Sequence, residues 1–252
     1  MNRRVLYVGD CSMRVEIEVK GAEAVAGVDR WVNMSGFVRN ALESAGYEVE
    51  HMPPHEAFGR FPRTAEALAE YAMLVLSDVG HDTLALYPGQ EKMSRQPNRM
   101  VEIVKYVQQG GALAYCGGYF SFQGRFGHGR WYGTPLASIL PVEILPLPDD
   151  RVEAMQGVTP RIIDRSHPIT RGIPWDTCPV VLGYNRTGAA RHGATLLGEV
   201  EGDPFLAAWE VSQGRVMVLT TDPAPHWGVY FCQWEHYPTF WRQAADWLTR
   251  QA

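Results

Sequence analysis

Few cysteines, no long apolar run and no surplus of basic residues set the first limits on this chain. The four cysteines, Cys11, Cys116, Cys178 and Cys232, stand far apart, with no C-x-x-C pair and no repeated spacing. That excludes the usual zinc-ligand patterns and predicts four reduced thiols. No stretch approaches the roughly 20 apolar residues of a membrane span. The N-terminal run Val5-Leu6-Tyr7-Val8 meets Asp10 too soon for a signal segment, so a cytosolic chain is expected. Lys and Arg number 23 against 28 Asp and Glu, a formal charge of -5, and they are scattered, which leaves no footprint for DNA or RNA. The glycine-rich stretch 117–133 lacks the spacing of a P-loop or a dinucleotide fingerprint. A small-molecule ligand is therefore expected, without nucleic acid, membrane, metal or cofactor.

What is present is an ordinary globular composition. Hydrophobic residues make up 46% and charged residues 20% of 252, enough for a sizeable core, and the length fits one domain over 1–252. Residues 4–9 read as a strand and 35–45 as a helix, with Phe37, Val38, Ala41, Leu42 and Ala45 at helical spacing before Gly46. Residues 47–52 are a second strand, closed by Pro53-Pro54, and 64–71 a short helix feeding the apolar run 72–77. A helix over 97–109 stops at Gly110-Gly111 and leads into the strand that ends at Cys116. This alternation predicts an α/β fold with a mostly parallel sheet, its following loops gathered at one edge. From 134 to 210 the texture becomes short β-like runs broken by Pro and Gly, read as a β-rich insertion or an antiparallel extension of the sheet. A strand over 214–222 and a helix over 237–250 close the chain.

The chemistry gathers at strand ends. Cys116 lies between a strand and Gly117-Gly118, the setting in which an α/β enzyme mounts a nucleophile, and His226 follows the strand ending at Asp222. If these strands are parallel neighbours the thiol and the imidazole meet, with Asp222 orienting His226. The amides of Gly117 and of the Val79-Gly80 turn would face a developing oxyanion, with Gly118 and Tyr119 beside them in the same turn. Asp10 and Asp78 also end strands, where open α/β sheets bind ligands. His51 and His55 flank Pro53-Pro54 and are read as loop histidines. Aromatics and glycines of 117–133 predict a mobile lid or a subunit contact, and Trp227, Tyr230 and Trp234 a pocket wall or interface. A homo-oligomer is expected.

Several motifs together resemble the glutamine amidotransferase-like family of bacterial cytoplasmic proteins. They are Tyr7-Val8-Gly9-Asp10, Leu76-Ser77-Asp78-Val79-Gly80, Gly117-Gly118-Tyr119-Phe120-Ser121-Phe122, Gly133-Thr134-Pro135, Leu140-Pro141-Val142-Glu143, His167-Pro168-Ile169, Gly183-Tyr184-Asn185 and Asp222-Pro223-Ala224-Pro225-His226-Trp227. The resemblance spans nearly the whole chain. It implies a flavodoxin-like three-layer α/β/α sandwich of the class I glutamine amidotransferase-like superfamily, more distantly related to ThuA-like proteins. Against that superfamily's G-x-C-x-G elbow, Ala114 replaces the first glycine. Gly228 stands where a glutamate usually follows the histidine, and Phe120 stands where a glutamine usually follows the cysteine. Two readings stay open. One is a hydrolase of a small amide or related carbonyl compound with Cys116, His226 and Asp222 as its triad. The other binds a small polar or carbohydrate ligand at Asp10, Asp78, Tyr184, Asn185, Asp222 and His226, beside Trp227, with Cys116 a bystander.

Overall fold

The computed structural model describes residues 2–89 and 95–251. Its strands are β1 (Arg4–Gly9), β2 (Cys11–Lys20), β3 (Glu23–Asn33), β4 (Glu48–Met52), β5 (Met73–Ser77), β6 (Ala112–Cys116), β7 (Arg151–Val158), β8 (Arg161–Ile162), β9 (Val181–Asn185), β10 (Thr195–Val200), β11 (Asp203–Val211) and β12 (Gly214–Leu219). The α-helices are α1 (Gly36–Ser44), α2 (Pro54–Arg60), α3 (Ala65–Leu68), α4 (His81–Ala85), α5 (Arg99–Gln108) and α6 (Tyr237–Leu248).

Eight strands form one sheet in the order β4-β1-β5-β6-β12-β11-β10-β8. The first five run parallel, in the flavodoxin-like order whose ligand crevice opens where the winding reverses, between β1 and its neighbour β5. The expected α/β sandwich is what the chain builds. Strands β11, β10 and β8 continue the sheet antiparallel, whereas β7 and β9 pair separately. The stretch after residue 134 thus supplies both an extension of the sheet and a small second sheet.

Apolar runs explain the layers. Strands β5 and β6 are buried at every position, as parallel strands covered on both faces must be. Alternate residues serve opposite cores. Tyr7, Val75, Ala114 and Cys116 pack with α1 and α6, while Leu6, Val8, Leu76 and Tyr115 pack with α5. Helix α5 starts at Asn98, whose side chain accepts from the Met100 amide, and buries Met100, Ile103 and Val107 on one stripe.

Three readings need correction. Residues 11–33, given no element from sequence, form a long two-stranded ribbon, β2 with β3. His51 lies within β4 and His55 within α2, because Pro54 stands at a helix start, where its missing N–H costs nothing. Stretch 117–133 is pinned rather than lid-like. Phe122 and Trp131 are fully buried, Trp131 Nε1 donates to the Val79 carbonyl, and Asp150 accepts from the Gln123 and Gly124 amides.

Candidate functional site

Four strand ends meet at one sheet edge, and three of them bring polar side chains. Asp10 follows β1, Asp78 follows β5, the Gly117-Gly118 turn follows β6, and Asp222 and His226 follow β12. Their backbones are unusual. Asp10 and Asp78 both hold φ +47°, and His226 holds φ +144°, a region costly for any residue with a Cβ and one that persists only when surroundings impose it.

Gly118 is the hub. A Cβ there would lie 2.6 Å from Asp78 Oδ1 and 2.7 Å from Asp222 Oδ1, so glycine leaves the space into which both carboxylates close. The Gly118 amide donates to Asn185 Oδ1 at 2.8 Å, and Asn185 Nδ2 donates to Asp150. Asp78 Oδ1 accepts the Phe120 amide at 2.7 Å. Asp10 accepts the hydroxyl of buried Tyr7.

Asp222 and His226 form the pair expected from the sequence, with Nδ1 and Oδ2 2.5 Å apart. The aspartate is 5% exposed and the imidazole 41%, so the carboxylate orients a ring that faces the crevice. Trp227 stacks on His226 with centroids 5.1 Å apart, and Tyr119 meets its edge at 4.3 Å. Trp227 is itself fixed by Nε1 donating to Glu153 Oε2 at 3.0 Å. Burial disfavours charge on His226, but the bond to Asp222 and the charges of Asp222, Asp78 and Glu153 outweigh it and raise its pKa.

The carboxylates crowd one another. Burial, then the charges of Asp222 and Asp10, push Asp78 up to about 8. Burial, then Asp222, push Asp10 up to about 7. Burial also raises Asp222, countered by its bond to His226. Near neutrality the cluster therefore holds protons that ordinary carboxylates have lost, and can donate as well as accept. Among the described residues no group of three or more His, Cys, Asp or Glu is arranged to hold a metal ion.

Two cavities open here. Asp10, Asp78, Tyr119, Asp222 and His226 line one of about 210 Å³. Asp78, Gly80, Phe120 and His128 line a neighbouring one of about 410 Å³. The root of the β2–β3 ribbon stands between them, giving Arg14 and Val32 to the smaller and Met13 and Trp31 to the larger. These walls were missed from sequence. Strict alternation of Met13, Val15, Ile17 and Val19 with charged residues was the available signal.

Other expected members do not reach the crevice. Cys116 ends β6 but is fully buried on the α6 side of the sheet, and no hydrogen bond or ion pair joins it to His226 among the described residues. Burial, then the charges of Asp10 and Asp222, hold its thiol well above the ordinary range, the reverse of an activated nucleophile. The Gly117 amide donates to the Leu219 and Thr221 carbonyls and the Gly118 amide to Asn185, so neither is free for an oxyanion. Tyr184 is buried with its hydroxyl on Asp203, 2.9 Å away. Asn185 acts from behind, through Gly118. Trp227 and Trp234 are buried within the chain rather than offered to another subunit.

The environment of the thiols makes a prediction. Cys11 is partly exposed while Cys116, Cys178 and Cys232 are buried. Iodoacetamide at pH 7.5 should modify Cys11 first and leave Cys116 at least tenfold slower, read site by site by mass spectrometry. Cys116 reacting first would restore the nucleophile.

The geometry can be set beside known proteins. The family described as "Putative glutamine amidotransferase" matches residues 4–250. The cytoplasmic protein STM1381 of Salmonella typhimurium LT2 is 35% identical, with TM-score 0.90 over 97% of this chain and 99% of that one. The cytoplasmic protein STM3548 of Salmonella typhimurium is 30% identical, with TM-score 0.90 over 97% and 98%. A ThuA-like protein of Parabacteroides merdae shares the fold at 11% identity and TM-score 0.56, over 100% of this chain and 91% of its own. No curated protein matches the chain. No helix among the described residues is long and apolar enough to cross a membrane.

Proposed function

From the premise that the chain belongs to this glutamine amidotransferase-like family, we propose that it works without thiol chemistry. Its site binds a small polar ligand between Asp10, Asp78, Asp222 and His226, and exchanges a proton with it through His226. The observation that carries this reading is the contrast between a half-exposed imidazole bonded at 2.5 Å to a buried aspartate and a Cys116 thiol with no exposed surface. As in other carboxylate-oriented histidines, Asp222 accepting from Nδ1–H leaves Nε2 as the atom that takes or gives a proton. Protonated Asp78 and Asp10 would donate to hydroxyl or carbonyl oxygens, and the same groups ionised would accept from an amine or hydroxyl. Tyr119 and Trp227 hold the ring in place. A cytoplasmic setting accords with the names of the two Salmonella relatives.

Thermal-shift screening of amides, amino acids and monosaccharides tests it. A stabilising compound should lose its effect in His226→Ala and Asp222→Asn and keep it in Cys116→Ala. The opposite pattern, loss with Cys116→Ala alone, would return the assignment to a Cys-dependent amide hydrolase.

The pairing has its own readout. In an NMR titration the His226 imidazole should hold its proton to higher pH than a free histidine, whose pKa is about 6.5. Asp222→Asn should lower that midpoint by about one unit or more, since it removes the bonded charge that raises it. An unchanged midpoint would mean that Asp222 does not orient the ring.

A further inference from the structure

The ribbon is the feature that the site leaves unexplained. Strands β2 and β3 pair over ten and eleven residues, and β2 is exposed along nearly its whole length. A lone two-stranded ribbon is marginal in water unless something packs on it. Here the pattern says which side is to be covered. Met13, Val15, Ile17 and Val19 alternate with Arg14, Glu16, Glu18 and Lys20, so the four apolar side chains share one face. Cross-strand register adds Ala24, Ala26 and Trp31 to that face, opposite Val19, Ile17 and Met13. Met13, Val15, Ile17, Val19 and Trp31 are between 48% and 66% exposed. The reverse face carries Lys20 paired to Glu18 at 2.9 Å, with Arg14 and Glu16 in the same row and Val25 as an isolated exposed apolar side chain opposite Glu18.

We propose that a second copy of this chain packs on that apolar face, ribbon against ribbon about a two-fold axis, and thereby covers the mouth of the larger cavity. Three observations select a second copy. The side chains of β2 on this face are all uncharged, so the β2 strand meets its own image without stranding a charge, which is what a two-fold interface requires. Five large apolar side chains on it are half to two-thirds exposed, so two such faces that bury them fully remove on the order of 1,000 Å², the floor for a specific interface. The face is also continuous with the site. Met13 and Trp31 belong to it and line the 410 Å³ cavity with Asp78 and Gly80, while Trp31 rests on His55 with ring centroids 4.4 Å apart. A copy seated on the ribbon would then stand over this cavity and leave the smaller one reachable from the reverse face.

Sedimentation velocity at tens of micromolar tests the assignment. The wild-type chain should sediment at twice the mass of one chain or a multiple of it. Ile17→Lys with Val19→Lys should convert it to single chains that still unfold in one cooperative transition, with any fall in thermal midpoint being the share that assembly contributes. Ile17→Ser with Val19→Ser gives the same test if the lysines disturb folding. Glu16→Lys, on the reverse face, should keep the oligomer. A wild-type monomer, an oligomer that survives both double substitutions, or one lost equally in Glu16→Lys would each overturn the proposal.

Discussion

Gly118→Ala should destabilise the protein by about 4 kcal/mol, the sum of a strained backbone and an overpacked site, and abolish ligand binding even where the chain still folds. Two costs fall on one methyl. Gly118 holds φ +147°, which a residue with a Cβ rarely adopts, and the new carbon would sit 2.6 Å from Asp78 Oδ1 and 2.7 Å from Asp222 Oδ1. Relief is hard to find. Asp78 is tied to the Phe120 amide and Asp222 to His226, so moving either carboxylate breaks a bond that defines the site. For a chain of this size the loss corresponds to a fall of roughly 10 °C in thermal midpoint. Gly172→Ala separates the two costs, because Gly172 also has positive φ, +72°, yet nothing lies within 4 Å of its missing Cβ. It should cost only about 1 kcal/mol. Equal losses in the two variants, by urea denaturation, would mean that the carboxylates do not press on Gly118.

That hub marks the border of what the sequence makes legible. Strand ends are readable. Apolar runs bounded by Gly, Asp or Pro put Asp10, Asp78, Asp222 and His226 at one edge, and the structure keeps them there. Which face a strand-end residue takes is harder to read. Cys116 follows Ala112 and Ala114 on the α6 side, and one residue's difference in parity separates a crevice residue from a core residue. Tyr184 fails for a related reason: the hairpin of β10 and β11 brings Asp203 to its hydroxyl, a pairing that depends on register. The carboxylate crowding around Gly118 depends on a close approach between turns separated by about forty and a hundred residues, which no local pattern encodes. The ribbon is legible in its alternation, but its first strand runs into its second rather than into a helix, so it stands outside the strand-then-helix alternation of the parallel sheet.

Crowding of this kind predicts a protein that weakens as pH rises. Asp78 binds its proton up to about pH 8 in the folded chain and Asp10 up to about pH 7, whereas an unfolded aspartate releases it near 3.9. Between those limits the folded state carries more protons than the unfolded state, so the slope of stability against pH is negative. The contribution of these carboxyls is full below about pH 4 and is lost as pH climbs through 7 and 8. His226, raised above an ordinary histidine, acts in the same direction and is lost above its own midpoint. Asp78→Asn removes the charge while its amide oxygen can still accept from Phe120. This variant should match the wild type near pH 4 and exceed it by about 3 kcal/mol at pH 8.5, a share of the full linkage. Urea midpoints measured across that range would show the two curves diverging. Parallel curves would mean that Asp78 ionises freely and that the three carboxylates do not share protons. If they diverge, the wild-type chain keeps at this edge an arrangement that costs it stability near neutral pH, as functional sites commonly do. The same substitution then separates roles: the neutral amide introduced by Asp78→Asn can donate to a ligand oxygen but cannot take a proton. A ligand bound unchanged by Asp78→Asn but lost in His226→Ala would assign proton exchange to the imidazole and hydrogen-bond donation to Asp78.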